Sequence, residues 1–318
     1  MISTVVGSYP VNINSPKTMK NKLFHTLGFY DKCKIAIHHS VKSQVKAGID
    51  IISDGQVRGE MVEVFAKHIP GCKIEKNLCL INSKIMPPSQ NIGVKDLKLA
   101  IKYMEDELNK LNISSKEKSK KGVKGLITGP STIIQSSKLG SIYKNKDLAI
   151  IDMAHALKNE AIALEKSGAK MLQIDEPFLS TGLINMEIAK DAIDIISKDI
   201  AIPVAIHCCG DIKEIFPDLI NFNVDIIDCE FAGQLSNLNV LESYSTNLKG
   251  KKIGFGVIDT KKPYVESVEE IAKIIEKGLD IVRDKNLFID PDCGMRLFSD
   301  EIAFKKLSNM VKAMDFFN

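Results

Sequence analysis

Short apolar, β-branched runs recur along the chain, each closing on turn residues and leading into a helical pattern. In the second half the alternation is regular. Strands are predicted at Lys170–Glu176, Ile202–Cys208, Val224–Cys229, Lys252–Ile258 and Leu287–Asp290. Helices follow at Asn185–Ser197, from Asp211, near Leu235–Tyr244, at Ser267–Val282 and from Ser299. The first half adds strands at Ile2–Gly7, Ile49–Ser53 and Gly122–Thr128, with helices at His38–Ala47 and Lys146–Ser167. Strand then helix, repeated, means parallel strands joined by right-handed crossovers. Eight such strands close a (β/α)8 TIM barrel. The stretch Lys73–Met86 alternates differently and reads as an extra hairpin. The start, with no helix until after Pro16, reads as an insertion over one barrel mouth. No linker rich in Gly, Pro or Ser divides the chain, so the expectation is one domain over residues 1–318. A doubly wound open sheet is the alternative, but it would gather its working residues at one switch point.

The ends of the predicted strands carry the chemistry. Gly7-Ser8, Asp54-Gly55, Gly129-Pro130, Asp175-Glu176, His207 to Cys209, Glu230, Asp259 and Cys293 stand there in turn. In a barrel of this type such positions line the working face. His207 and Cys209 are two apart in an extended segment and point to one side, with Cys208 on the other. By the same period Glu230 and Asp228 share a face and Cys229 lies opposite. A lone His or Cys in an apolar strand is usually core. Two thiols, an imidazole and a carboxylate at successive strand ends are better read as a tetrahedral zinc site: His207, Cys209, Glu230 and Cys293. Such a site can hold a substrate thiol as its thiolate, a nucleophile at neutral pH.

Composition narrows the partners. A net charge of +3 is too small to argue for nucleic acid. The lysine-dense stretch Lys116–Lys124 reads as a solvated loop, since like charges so close repel. No basic, apolar leader opens the sequence and no apolar run is long enough to span a bilayer, so no membrane role and a cytoplasmic location are expected. Seven cysteines in such a chain are not a disulfide framework, and Cys33, Cys72 and Cys79 read as free thiols.

Several motifs together resemble the catalytic barrel of the cobalamin-independent methionine synthase family. They are VVGSYP, DGQVRGEMVEVF, LITGPST, QIDEP, IHCCGD, CEF, IGFGVIDTKKPYVESVEEI and DPDCGMR, spread nearly end to end. The resemblance is to a short form, with no room for the second, N-terminal barrel of full-length members. It implies that His207, Cys209, Glu230 and Cys293 are zinc ligands. It also implies that Ser8 with the Val6-Gly7 backbone holds the homocysteine carboxylate, and that Asp175 receives its amino group. A strand-end carboxylate suits an ammonium and turn donors suit a carboxylate. Glu176 reads instead as an acid that caps the next turn. Three positions depart from the family pattern. Gln56 stands where the family has a Glu near the amino group. Lys261 aligns with the family's catalytic His, and a lysine is no imidazole relay near neutral pH unless its pKa falls. The chain has no tryptophan, on which the two-barrel enzymes stack their folate.

The expected function is therefore zinc-dependent methyl transfer to the thiol of homocysteine, giving methionine. The expected donor is a methyl-corrinoid, methylcobalamin or a corrinoid protein, with a methylated pterin second. Transfer to another thiol such as coenzyme M is the runner-up. A non-catalytic zinc or corrinoid carrier is the reading from another class.

Overall fold

The computed structural model describes residues 1–11, 31–76, 78–111 and 113–317. Eight strands hydrogen-bond in the order β1 (Ile2–Ser3), β11 (Leu287–Asp290), β10 (Lys252–Gly256), β9 (Ile226–Glu230), β8 (Val204–Cys208), β7 (Met171–Asp175), β5 (Gly122–Thr128) and β2 (Ile51–Ile52). Every pairing between them is parallel. A parallel bridge from Thr4 to Ile51 brings the first and last strands of this order together, so the sheet forms a nearly closed TIM barrel. The strands are buried almost throughout, because helices cover the outer face and side chains fill the inner one.

Period-two alternation sorts the residues into two cores. Ile51, Met171, Ala205, Ile226 and Phe288, with Ile2 against them, form a small cluster separate from the main one. They plug the barrel interior at the amino ends of the strands. Their outward neighbours, among them Leu172, Ile174, Ile206, Ile227, Ile253 and Ile289, pack in the main core under the helices. Two residues further along the plugging positions the inward side chains turn polar: Gln173, His207, Asp228 and Asp290. The barrel is thus apolar at its base and charged towards its mouth.

The helices follow the predicted alternation with several differences of extent. The first described helix begins at Lys32, capped by Asp31, rather than at His38. Ser267 and Glu270 form a capping box ahead of Val268–Ile281, and Ser299 caps Asp300–Met314. Beyond the predicted set stand Met61–Ala66, Val94–Leu108, Ser115–Lys120 and Pro130–Gln135. The helix expected from Asp211 is only Phe216–Leu219. The predicted hairpin is β3 (Cys72–Glu75) antiparallel to β4 (Leu78–Ile81), and β6 (Ser137–Leu139) adds to it in parallel. The expected insertion at the start of the chain, up to Pro16, lies outside the described residues from position 12 on. Among those residues, no helix is long and apolar enough to cross a membrane.

The reading of Lys116–Lys124 as a loop is corrected in two ways. Ser114 and Glu117 form a capping box that starts the helix Ser115–Lys120. Lys124 belongs to β5 and lies inside the barrel at 2% exposure. The repulsion argument holds for the helix surface but not for a strand residue that finds partners indoors.

Candidate metal centre and substrate cleft

The ends of β8 and β11 bring three of the predicted ligands together. One ligand atom each from His207, Cys209 and Cys293 lies within 4.8 Å of the others. Cys208 and Cys229 face away and pack in the main core, as the alternation requires. Burial raises both of their pKa values. The Cys209 thiol is lowered by its hydrogen bond with Cys293, which is itself raised by the same bond. Burial opposes charge on His207, but Asp228 and the Cys293 sulfur outweigh it and hold its pKa well above the usual value.

Glu230, the fourth predicted ligand, stands apart from the three. Its Oε1 accepts from Gly210 N at 2.8 Å and from Lys261 Nζ at 2.9 Å. Its Oε2 is buried with no hydrogen-bond partner, as are both ring nitrogens of His207. Orphaned buried atoms near two thiols fit a thiophilic cation. His207 Nδ1 lies 3.1 Å from Asp228 Oδ2, an ion-pair distance without hydrogen-bond geometry.

Groups the sequence reading did not single out hold this constellation. Asn237 is fully buried and donates to both Gly210 O and Glu230 O. Ser180 donates to Cys209 O at 2.7 Å. Asp292 accepts from the backbone of Phe231, Ala232 and Gly233, fixing the turn after Glu230. A Cβ at Gly256 would sit 2.3 Å from Asp292 Oδ1, so only glycine lets that carboxylate reach the turn. Burial lifts the Asp292 pKa to about 7.

A cleft beside the three ligands is lined by Val6, Ser8, Gln56, Asp175 and Arg296. Asp175 is 4% exposed and accepts from Gln173 Nε2 at 2.7 Å and from Gln56 Nε2 at 3.3 Å. Burial raises its pKa, and His207, Gln173, Lys124 and Gln56 counter that. Gln56 has φ of 46°, held by its own N–H on Asp54 and by Arg296 on its carbonyl. A Cβ at Gly7 would lie 2.9 Å from Gln56 Oε1, so the glycine admits that side chain. Ser8 O accepts from Met295 N, tying the first strand's loop to the Cys293 loop. Glu176 turns away, but not to the turn that follows it: it accepts from Ser131 N, Thr132 N and Thr132 Oγ1, at the start of the helix Pro130–Gln135 after the neighbouring strand β5, so the expectation of a local cap is corrected.

A family model described as "Cobalamin-independent synthase, Catalytic domain" matches residues 1–315. The chain belongs to the cobalamin-independent methionine synthase family. Membership makes it an enzyme, a methyltransferase of the methionine synthase kind. It is 48% identical over 315 residues to a methionine synthase of Methanothermobacter thermautotrophicus, covering 98% of this chain and 99% of that one. It is 44% identical over 324 residues to one of Methanocaldococcus jannaschii, covering 98% of each. The fold matches a B12-independent methionine synthase from Shewanella sp. W3-18-1, solved with selenomethionine. The TM-score is 0.80 at 22% identity, covering 99% of this chain and 97% of that one.

The alternation of β8 has a direct test. Cys208→Ser should keep the metal and the activity, at about 1–3 kcal/mol of stability for a hydroxyl buried without a partner. Metal content and a denaturation midpoint measure it. Loss of metal in Cys208→Ser with retention in Cys209→Ser would place β8 one residue out of register.

Proposed function

We propose that this chain is one zinc-containing methyltransferase domain over residues 1–318 that methylates the thiol of homocysteine to give methionine. The observation that carries the reading is a single cleft holding both a soft metal-binding triad and a buried carboxylate. Bound zinc would lower the pKa of the substrate thiol and keep it as a thiolate. His207, Cys209 and Cys293 would hold the ion, with Glu230 beside it through its free Oε2. Asp175 takes the ammonium group of the substrate. The Val6-Gly7-Ser8 segment takes its carboxylate. Gln56 steadies Asp175 without adding a second negative charge.

The chain's residues then position a methyl transfer. A sulfur–carbon bond forms as the methyl–donor bond breaks, and its electron pair leaves with the donor. On the donor the observations pull apart. The family description, cobalamin-independent, weighs against the expected corrinoid and towards a methylated folate. Lys261 and the absence of tryptophan weigh the other way. We carry a methyl-corrinoid, free or on a corrinoid protein, as the first donor and a methylated pterin as the second.

Asp175→Asn tests the amino-acid assignment. It should weaken homocysteine use by about 1.5–3 kcal/mol, the cost of removing one charge-assisted hydrogen bond. A thiol without an amino group should be little affected. Equal losses in kcat/KM for both thiols would favour the coenzyme M alternative. Zinc binding without turnover on any donor would favour a carrier.

A further inference from the structure

Lys124 is a fully engaged lysine in the barrel interior, and nothing in the methyl-transfer reading uses it. Its Nζ donates to the Val5 carbonyl and to Gln173 Oε1, the latter at 2.6 Å. Gln173 is also fully buried, and its Nε2 donates to Val6 O and to Asp175 Oδ1, both at 2.7 Å. The amide has one orientation that works. Its oxygen must meet the lysine, which brings donors, and its NH2 group must meet a carbonyl and a carboxylate, which only accept. Reversing it would set an oxygen against Asp175 and a donor against the lysine. Lys124 thereby dictates which face Gln173 presents to the cleft, and ties the first strand's loop to β7 through two successive carbonyls.

We propose that Lys124 and Gln173 are positioning residues for the amino-acid end of the substrate: Lys124 locks the Gln173 amide, which holds the Asp175 carboxylate against the Val6 segment. The two halves of the amino-acid site, one for ammonium and one for carboxylate, are then set by one buried relay. Selection of an α-amino acid over a bare thiol depends on it. The inference rests on the reading of Asp175 as the ammonium acceptor. It adds that the carboxylate is useful only while the relay behind it is intact.

The experiment is a double-mutant cycle on Lys124→Met and Gln173→Met in the zinc-loaded protein. Calorimetry compares L-methionine with its desamino analogue, 4-(methylthio)butanoate, and zinc content and thermal midpoint are recorded for each variant. The wild type should prefer methionine. Each single variant should lower that preference about tenfold or more, the scale of one charge-assisted hydrogen bond. The double variant should lose clearly less than the sum of the two single losses, because Lys124 acts chiefly through Gln173, with its own charge on Asp175 as the smaller part. Retained preference in the single variants, or additive losses, would overturn the proposal. Gln173→Met changes no charge in the interior, so it decides alone should Lys124→Met fail to fold: unchanged preference there rejects the relay. A wild type that prefers methionine yet transfers no methyl to homocysteine would reject the functional reading and leave this one standing.

Discussion

Replacing Cys293 with Ser should strip the purified protein of nearly all its zinc and reduce methyl transfer to background. The thiolate is the ligand, and a serine hydroxyl does not ionise near neutrality to replace it. Tight zinc sites with four protein ligands bind with about 10–16 kcal/mol. One ligand of four therefore accounts for about 2.5–4 kcal/mol, or roughly a hundredfold to a thousandfold in affinity. The same loss is expected for Cys209→Ser, since the two sulfurs and His207 form one cluster within 4.8 Å. Glu230 is different, because its Oε1 is already committed to Gly210 N and Lys261 Nζ. Metal analysis of protein prepared with one equivalent of zinc measures all of this. Full occupancy in Cys293→Ser would remove Cys293 from the ligand set.

The grouping of His207, Cys209 and Cys293 was legible in the sequence because strand geometry made it so. Two-residue alternation put His207 with Cys209 on one face and sent Cys208 to the other, and the packing of Cys208 in the outer core agrees. The same rule placed Asp228 on the face of Glu230, and its approach to His207 was readable from that, although its role was not drawn. Glu176 was read as a cap for the turn after it, whereas it caps a helix more than forty residues earlier, a pairing that alternation does not reveal. Lys124 was misread because a rule about runs of like charge was applied across an element boundary. The pattern Ser114-x-x-Glu117 already marked a helix start, and GVKGLIT already marked a strand, whose inward side includes Lys124. Asp292 and Asn237 were not legible. Asp292 works on a turn some sixty residues away (|i−j| of 59 to 61), and Asn237 works from a helix that follows the strand it holds. Pairings of that kind belong to tertiary structure and leave no periodic trace.

With homocysteine as acceptor, the purified chain should turn over methylcobalamin or a methyl-corrinoid protein. It should give no methionine above background from methyltetrahydrofolate of any glutamate length. The difference lies in the leaving group. A methyl on a tertiary amine departs only when the nitrogen has taken a proton, so the enzyme must supply an acid near the working pH. The residue that the resemblance sets at the family's imidazole is Lys261, and its ammonium, held above the usual lysine range by its hydrogen bond to Glu230, is a poor acid there. Its Nζ is moreover spent on Glu230 Oε1 at 2.9 Å. A methyl–cobalt bond asks for no proton. The thiolate sulfur forms its bond to carbon, the cobalt–carbon pair stays on the metal, and cobalt(I) leaves as a stable species. The tryptophan on which, by the resemblance, the two-barrel enzymes stack their folate has no counterpart, since none of these 318 residues is tryptophan. Against this stands the family description, cobalamin-independent, which favours methylfolate. The donor panel separates the two. Robust folate-dependent methionine formation would overturn the corrinoid reading while leaving the metal cluster and the homocysteine site in place, because neither depends on which group the methyl leaves.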